Sequence, residues 1–170
     1  NHIHHIGYGE LSDMAGIYTL GRQPGSVLRG NIIHDVNDCV YGGWGIYNDQ
    51  GSAEFLIEKN IVFDTNDESY FQNNDSERNV LRNNILAFPG TGNLRRGRED
   101  NVIESPALER NIIVGRNGAP FTSRWRTPAT FRSDRNQFWD YDYRPADLIF
   151  DGIGFADWQW RGRDGNSVIA

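Results

Sequence analysis

A recurring asparagine limits what this chain can fold into more than any other feature. Five segments align on it: VLRGNII, LIEKNIV, VLRNNIL, ALERNII and a weaker SDRNQF. The aligned residues are Asn31, Asn60, Asn84, Asn111 and Asn136, spaced by subtraction at 29, 24, 27 and 25 residues. Asn1, in NHIHHI, begins the same pattern 30 residues before Asn31. The shared form is apolar-apolar-x-x-Asn-apolar-apolar. A second repeat lies between the asparagines. Tyr18, Tyr47 and Phe71 each precede their asparagine by 13 residues (31 − 18, 60 − 47 and 84 − 71). A constant spacing on one side with variable length on the other predicts turns with one rigid side, insertions collecting elsewhere.

The apolar runs are short, β-branched and broken by Asn and Gly, and none carries a helical stripe of useful length. Short strands at a period of about 25 residues cannot bury themselves singly and are expected to stack. The predicted fold is all-β: a right-handed parallel β-helix of about five to six rungs, neighbouring turns pairing about 4.8 Å apart. Identical residues then form ladders. Asparagine suits a ladder because it tolerates a left-handed backbone and bonds its neighbour's amide. A β-sandwich with coincidental strand spacing is the competing architecture. Residues 1–140 are expected to form rungs. Residues 141–170 are expected to be a Trp-rich irregular segment that continues or caps the stack. The opening on Asn1, in mid-pattern, suggests a piece of a longer protein.

Composition narrows the partners. The chain of 170 residues has a net charge of −6, which argues against nucleic acid. It has no 18-residue apolar run, so no membrane span is expected. A single cysteine, Cys39, excludes an internal disulfide and a cysteine-based zinc site. Lys59 is the one lysine among 17 basic residues, and the arginines suit bidentate grip on carboxylates.

The rungs resemble right-handed parallel β-helix proteins of the pectate-lyase-like superfamily. More narrowly, LSDMAGIYTLGRQPG, YGGWGIYNDQGS and WQWRGRDGNSVIA are similar to a bacterial group that includes glycoside hydrolase family 141. The resemblance implies a secreted or periplasmic, carbohydrate-active protein with a polysaccharide or oligosaccharide partner. In that group the second motif commonly carries a glutamate at the position of Gln50, and the third rung histidines at Gln72 and Asn74. These three positions are therefore candidate substrate contacts, with side chains altered from the group's pattern.

Strand alternation predicts that Tyr18 and Leu20, Tyr47 and Asp49, and Phe71 and Asn73 face outward. Thr19, Asn48 and Gln72 then form an inward polar ladder. A row of rings at Tyr18, Tyr47 and Phe71 with a carboxylate beside it suits a sugar chain; packing beneath inserted loops is the structural alternative. Glycoside hydrolysis needs two carboxyl groups, about 5–5.5 Å apart for retention or 6.5–9.5 Å for inversion. Neighbouring rungs supply such separations, and Asp13 with Asp49 is the leading catalytic pair. Crowding is expected to raise one pKa and make that residue the acid, with Asp49 favoured as nucleophile or base. Each aspartate also has a reading as a turn residue, Asp49 in an Asx turn before Gly51. Glu10, Asp67, Glu68 and Glu99 are reserves. In LRRGRED, Arg95, Arg96 and Arg98 are placed to grip an acidic sugar or Glu99, and Arg98 and Glu99 are counted as substrate-binding candidates.

No cofactor is required by this chemistry. A calcium site from Asp35, Asp38 and Asp64 is an open alternative, and stacked His4 and His34 are read as packed rings before metal ligands. Trp158 and Trp160 in WQWRG are expected to share a face and cover an edge. Two other functions compete. A polysaccharide lyase would need a uronate neutralised by Ca²⁺ or arginine and a base, an arginine or His5, to take the α-proton. A non-catalytic glycan-binding or structural module would need neither. Exposed strand edges make end-to-end or edge self-association a further expectation.

Overall fold

The computed structural model describes residues 1–97, 105–123, 125 and 131–170. The chain is an all-β parallel solenoid of about six turns, the architecture of a right-handed parallel β-helix. Three stacks of strands run along it. The first sheet contains His2–Ile6, Ile32–Val36, Ile61–Thr65, Ile85–Ala87, Ile112–Gly115, Gln137–Asp140 and Val168–Ile169. The second contains Met14–Thr19, Gly43–Asn48, Tyr70–Gln72, Leu94–Arg96, Phe121–Thr122 and Ile149–Phe150, with Ile153–Gly154 added antiparallel at its end. The third contains Val27–Arg29, Leu56–Glu58, Val80–Arg82, Ala107–Glu109 and Arg132–Asp134.

The asparagines sit at the corner between the third sheet and the first, each buried. Every one takes its neighbour's backbone and side-chain amides on one oxygen. Asn60 donates to Asn84 Oδ1 through its backbone N–H at 3.0 Å and its side chain at 3.1 Å, and Asn84 does the same to Asn111. The left-handed residue at this corner is the one before the asparagine, which corrects the expectation. Gly30, Lys59, Asn83, Arg110 and Arg135 have φ between +54° and +68°. Asparagine is selected here for its amide, which satisfies backbone donors a corner would otherwise leave orphaned.

Phase follows the alternation. Ile17 stacks on Ile46 and Ile46 on Tyr70 toward the core, while Tyr18, Tyr47, Phe71 and Arg95 form one outer column. The inward polar ladder is satisfied internally. Asn48 donates to Thr19 Oγ1 at 2.7 Å, and Tyr70 donates to Asn48 Oδ1 at 2.8 Å. Variable length collects between the first and second sheets, in residues 7–13, 37–42 and 66–69.

The glycine run before this column has a steric cause. Gly42 has φ +84°, a conformation L side chains avoid. Gly45 faces the core at a close approach of neighbouring turns. A methyl there would press on Val62 and lie 2.5 Å from the Ser69 carbonyl oxygen. Because that oxygen belongs to the backbone of the next rung, Gly45→Ala is expected to lower stability by about 1–3 kcal/mol, measured by urea denaturation. An unchanged midpoint would reject the close approach.

The segment beyond residue 140 continues the stack through its strands, with a helix, Phe155–Trp160, inserted before the strand Val168–Ile169. Trp158 and Trp160 do not share a face. Two residues apart on a helix is about 200°, and Trp158 is fully buried while Trp160 is 85% exposed. Trp158 closes the core against Phe121, Phe131 and Phe150, its indole N–H donating to buried Asp164 at 2.7 Å. Among the described residues, no helix is long and apolar enough to cross a membrane.

Candidate functional site

An open groove of about 520 Å³ lies where the variable loops meet the outer face of the second sheet. Asp13, Tyr41 and Asp67 enter it from the three loops, and Trp44, Tyr47, Asp49, Phe71, Asn73 and Arg95 from the sheet side. The loops brace one another. The Asp13 amide donates to the Tyr41 carbonyl at 2.9 Å, and the Asp67 carboxylate takes the Gly42 amide at 2.6 Å.

The ring column forms in register, Tyr18 beside Tyr47 beside Phe71. It is not an open row of ring faces. Tyr47 is 2% exposed and Phe71 6%, because Trp44 packs on both, at 4.5 and 4.6 Å between ring centroids. Tyr18, 45% exposed, is the open ring of the three. The column is thus chiefly a second small core beneath the groove, which supports Asp49.

Asp49 collects hydrogen bonds from three successive rungs. Tyr18 donates to Oδ2, and Tyr47 and Asn73 donate to Oδ1, each at 2.8 Å. Partial burial works against its charge. The donors Tyr18, Asn73 and Tyr47, with the Gln50 amide, outweigh it, and the carboxyl lies below the usual carboxylate range. Asp49 is therefore not the member of the pair whose carboxyl is raised. Nor is it held in an Asx turn: the turn closes through backbone, Ser52 N–H to the Asp49 carbonyl at 2.9 Å.

The same contacts act on the phenols. Hydrogen bonding to Asp49, with some burial, pushes Tyr18 up to about 12. Burial first, then Asp49, pushes Tyr47 well above the ordinary tyrosine range. A raised phenol pKa stabilises the folded state fully below the unfolded value of about 10, and that stability is lost as pH rises toward 12. Asp49→Asn is expected to bring the Tyr18 ionisation back toward about 10, read as phenolate absorbance during alkaline titration. A titration curve identical to the parent's would reject the Tyr18–Asp49 contact.

Asp13 is exposed on the groove wall, at φ +54°. That backbone state is one aspartate tolerates, so the turn reading holds alongside any chemistry. Its charge acts on both Tyr18 and Tyr47, the hydroxyls that hold Asp49. Of the other candidates, Gln50 is exposed and Asn74 half-buried at the turn beside Asp49, their carbonyls accepting from Gly21 and Gly51. Gln72 is corrected. It lies inside the solenoid, accepting from Ser105, Tyr70 and Asn79 and donating to the Ser76 carbonyl, and presents nothing to the groove. Arg98 and Glu99 lie outside the described residues.

Among the reserves, Glu10 is exposed and away from the groove lining. Glu68 is buried beneath the groove, taking hydrogen bonds from Trp44 at 2.9 Å and Thr122 at 2.8 Å. The histidines stand elsewhere, on the first sheet. His34 stacks on His4 and Phe63 in one ring column, as the packed-ring reading expects. Among the described residues, no three His, Cys, Asp or Glu side chains are grouped to hold a metal ion, Asp35, Asp38 and Asp64 included. No protein-family model, curated protein or solved structure matches this chain.

Proposed function

We propose that the groove binds a glycan and hydrolyses one of its glycosidic bonds. The observation that carries this is Asp49: a carboxylate kept ionised in an open groove, with the Asp13 carboxylate acting on the same two hydroxyls. In this reading Asp49 serves as base or nucleophile and Asp13 as acid, a two-carboxylate mechanism. Exposed Tyr18 and Tyr41 supply ring faces for pyranose C–H groups, and Asn73 and Gln50 supply amides for hydroxyls. The β-helix fold is compatible with carbohydrate-active proteins, and the sequence resemblance points the same way.

A second reading, a non-catalytic glycan-binding module, is favoured by one observation. Both Asp49 oxygens already accept hydrogen bonds, which lowers the reactivity of a nucleophile. A lyase, whose candidate bases are an arginine or His5, has less support: His5 belongs to the histidine cluster on the first sheet, outside the groove lining, and Arg95, which does line the groove, is anchored by Glu68 at 3.5 Å. The test is a polysaccharide panel read for new reducing ends, unsaturated products and binding. Reducing ends without unsaturation support the hydrolase. Binding without turnover supports the module, unsaturated products the lyase, and no binding to any glycan rejects the groove as a sugar site.

A further inference from the structure

Arg95 continues the outer column, directly after Phe71 in register and before Thr122. Among the described residues, it is the one cation that lines the groove. Its guanidinium lies over the Phe71 ring, 5.3 Å from the centroid, and one terminal nitrogen is 3.5 Å from buried Glu68. Glu68 is already served by Trp44 and Thr122, so it anchors the guanidinium from below without engaging the whole fork. The side chain remains 42% exposed, and its Nε, out of solvent, has no acceptor. A buried donor without a partner calls for an explanation. A planar guanidinium stacked on a ring with donors to spare is suited to a bidentate oxyanion.

Position along the solenoid adds a second point. Tyr47, the neighbour of Asp49, and Arg95 are two rungs apart in the column, about 10 Å at 4.8 Å per rung. That is the scale of a disaccharide unit, and about a Debye length at physiological salt. The Asp49 charge is therefore substantially screened at the Arg95 end. Asp67, which also lines the groove, is turned onto the Gly42 and Gly43 amides.

We infer that Arg95 forms an anionic subsite at one end of the groove, receiving a singly charged oxyanion substituent on a glycan. A sugar carboxylate and a sulfate ester share that chemistry. The glycan runs along the solenoid axis, with its charged residue at Arg95 and the residue to be cleaved at Asp49. This rests on the reading of the groove as a glycan site, and deepens it by naming the substrate class.

The experiment is calorimetric binding to two pairs of probes: oligogalacturonides with and without methyl esterification, and carrageenan oligosaccharides before and after desulfation. The parent protein is expected to bind at least one charged form about 10- to 100-fold tighter than its neutralised twin, the range of a charge-assisted hydrogen-bonded contact. The pair that shows the difference identifies carboxylate or sulfate. Arg95→Gln is expected to erase the difference, and Arg95→Lys, which keeps charge without the fork, to retain part of it. Circular dichroism of both variants controls for the exposure of Glu68. Equal binding of charged and neutral twins, or a preference that survives Arg95→Gln in a folded variant, overturns the subsite and leaves the groove reading standing. Absence of binding to all four probes and to the neutral glycans of the panel removes both.

Discussion

Asn84→Ala is expected to cost about 3–5 kcal/mol of folding stability. The residue sits mid-ladder, 1% exposed. Its oxygen takes the backbone and side-chain N–H groups of Asn60, and its amide donates to the Ile57 carbonyl and Asn111 Oδ1, both at 3.0 Å. Alanine leaves the Asn60 backbone donor and one Asn60 side-chain donor unsatisfied within the wall and removes a donor from the Ile57 carbonyl. Each buried orphan costs about 1–3 kcal/mol, with partial relief as water enters the cavity. Serine could recover one acceptor and is expected to cost less. Urea denaturation of the two variants measures the difference. A loss under about 1 kcal/mol for alanine would mean that stacking of the apolar strands holds the turns together and the amide ladder is incidental.

Asp49→Asn is expected to reduce glycan turnover by about 10²–10⁴-fold, the contribution typical of a positioned acid–base group. Glycan binding should remain within a few-fold of the parent's, since the substitution keeps shape and leaves Tyr18 and Tyr41 in place. Stability should fall only modestly, because an amide oxygen can still accept from one of the two tyrosines. Asp13→Asn should reduce turnover by a similar factor while leaving the Tyr18 titration nearer the parent's, since Asp13 acts on that phenol through space and Asp49 through a hydrogen bond. This contrast separates chemistry from support. Turnover of Asp49→Asn within tenfold of the parent's would remove Asp49 from the mechanism and leave it as a brace for the aromatic column.

The ladder and the phase of the strands were legible in the chain because they depend on register alone. When a turn repeats, a residue's neighbours are its own equivalents one period away. Asn31 through Asn136, the inward run Thr19, Asn48 and Gln72, and the outward run Tyr18, Tyr47 and Phe71 therefore follow from spacing. That logic failed at Arg95. It occupies the Phe71 position of the next rung, but it lies 16 residues before Asn111 (111 − 95) where the others lie 13 before theirs. An insertion on the previously constant side hid the equivalence. Gln72 was readable in both ways, and its inward place in the alternation was the better guide than its place in the resemblance.

Other features belong to contacts between segments that share no repeat. Trp44 buries the rings of Tyr47 and Phe71 because Glu68, one rung on, holds its indole, and no spacing rule specifies that pairing. Asp13 and Asp67 reach one groove because the loops before their strands brace each other, and loop paths depend on what they pack against. WQWRG alternates like a strand, yet its tryptophans lie in a helix that buries Trp158 in the core and leaves Trp160 exposed. Periodicity is a statement about backbone pairing, which is local to neighbouring turns. Burial, charge and the shape of the groove are set by side chains converging from different turns, and only the folded arrangement decides those.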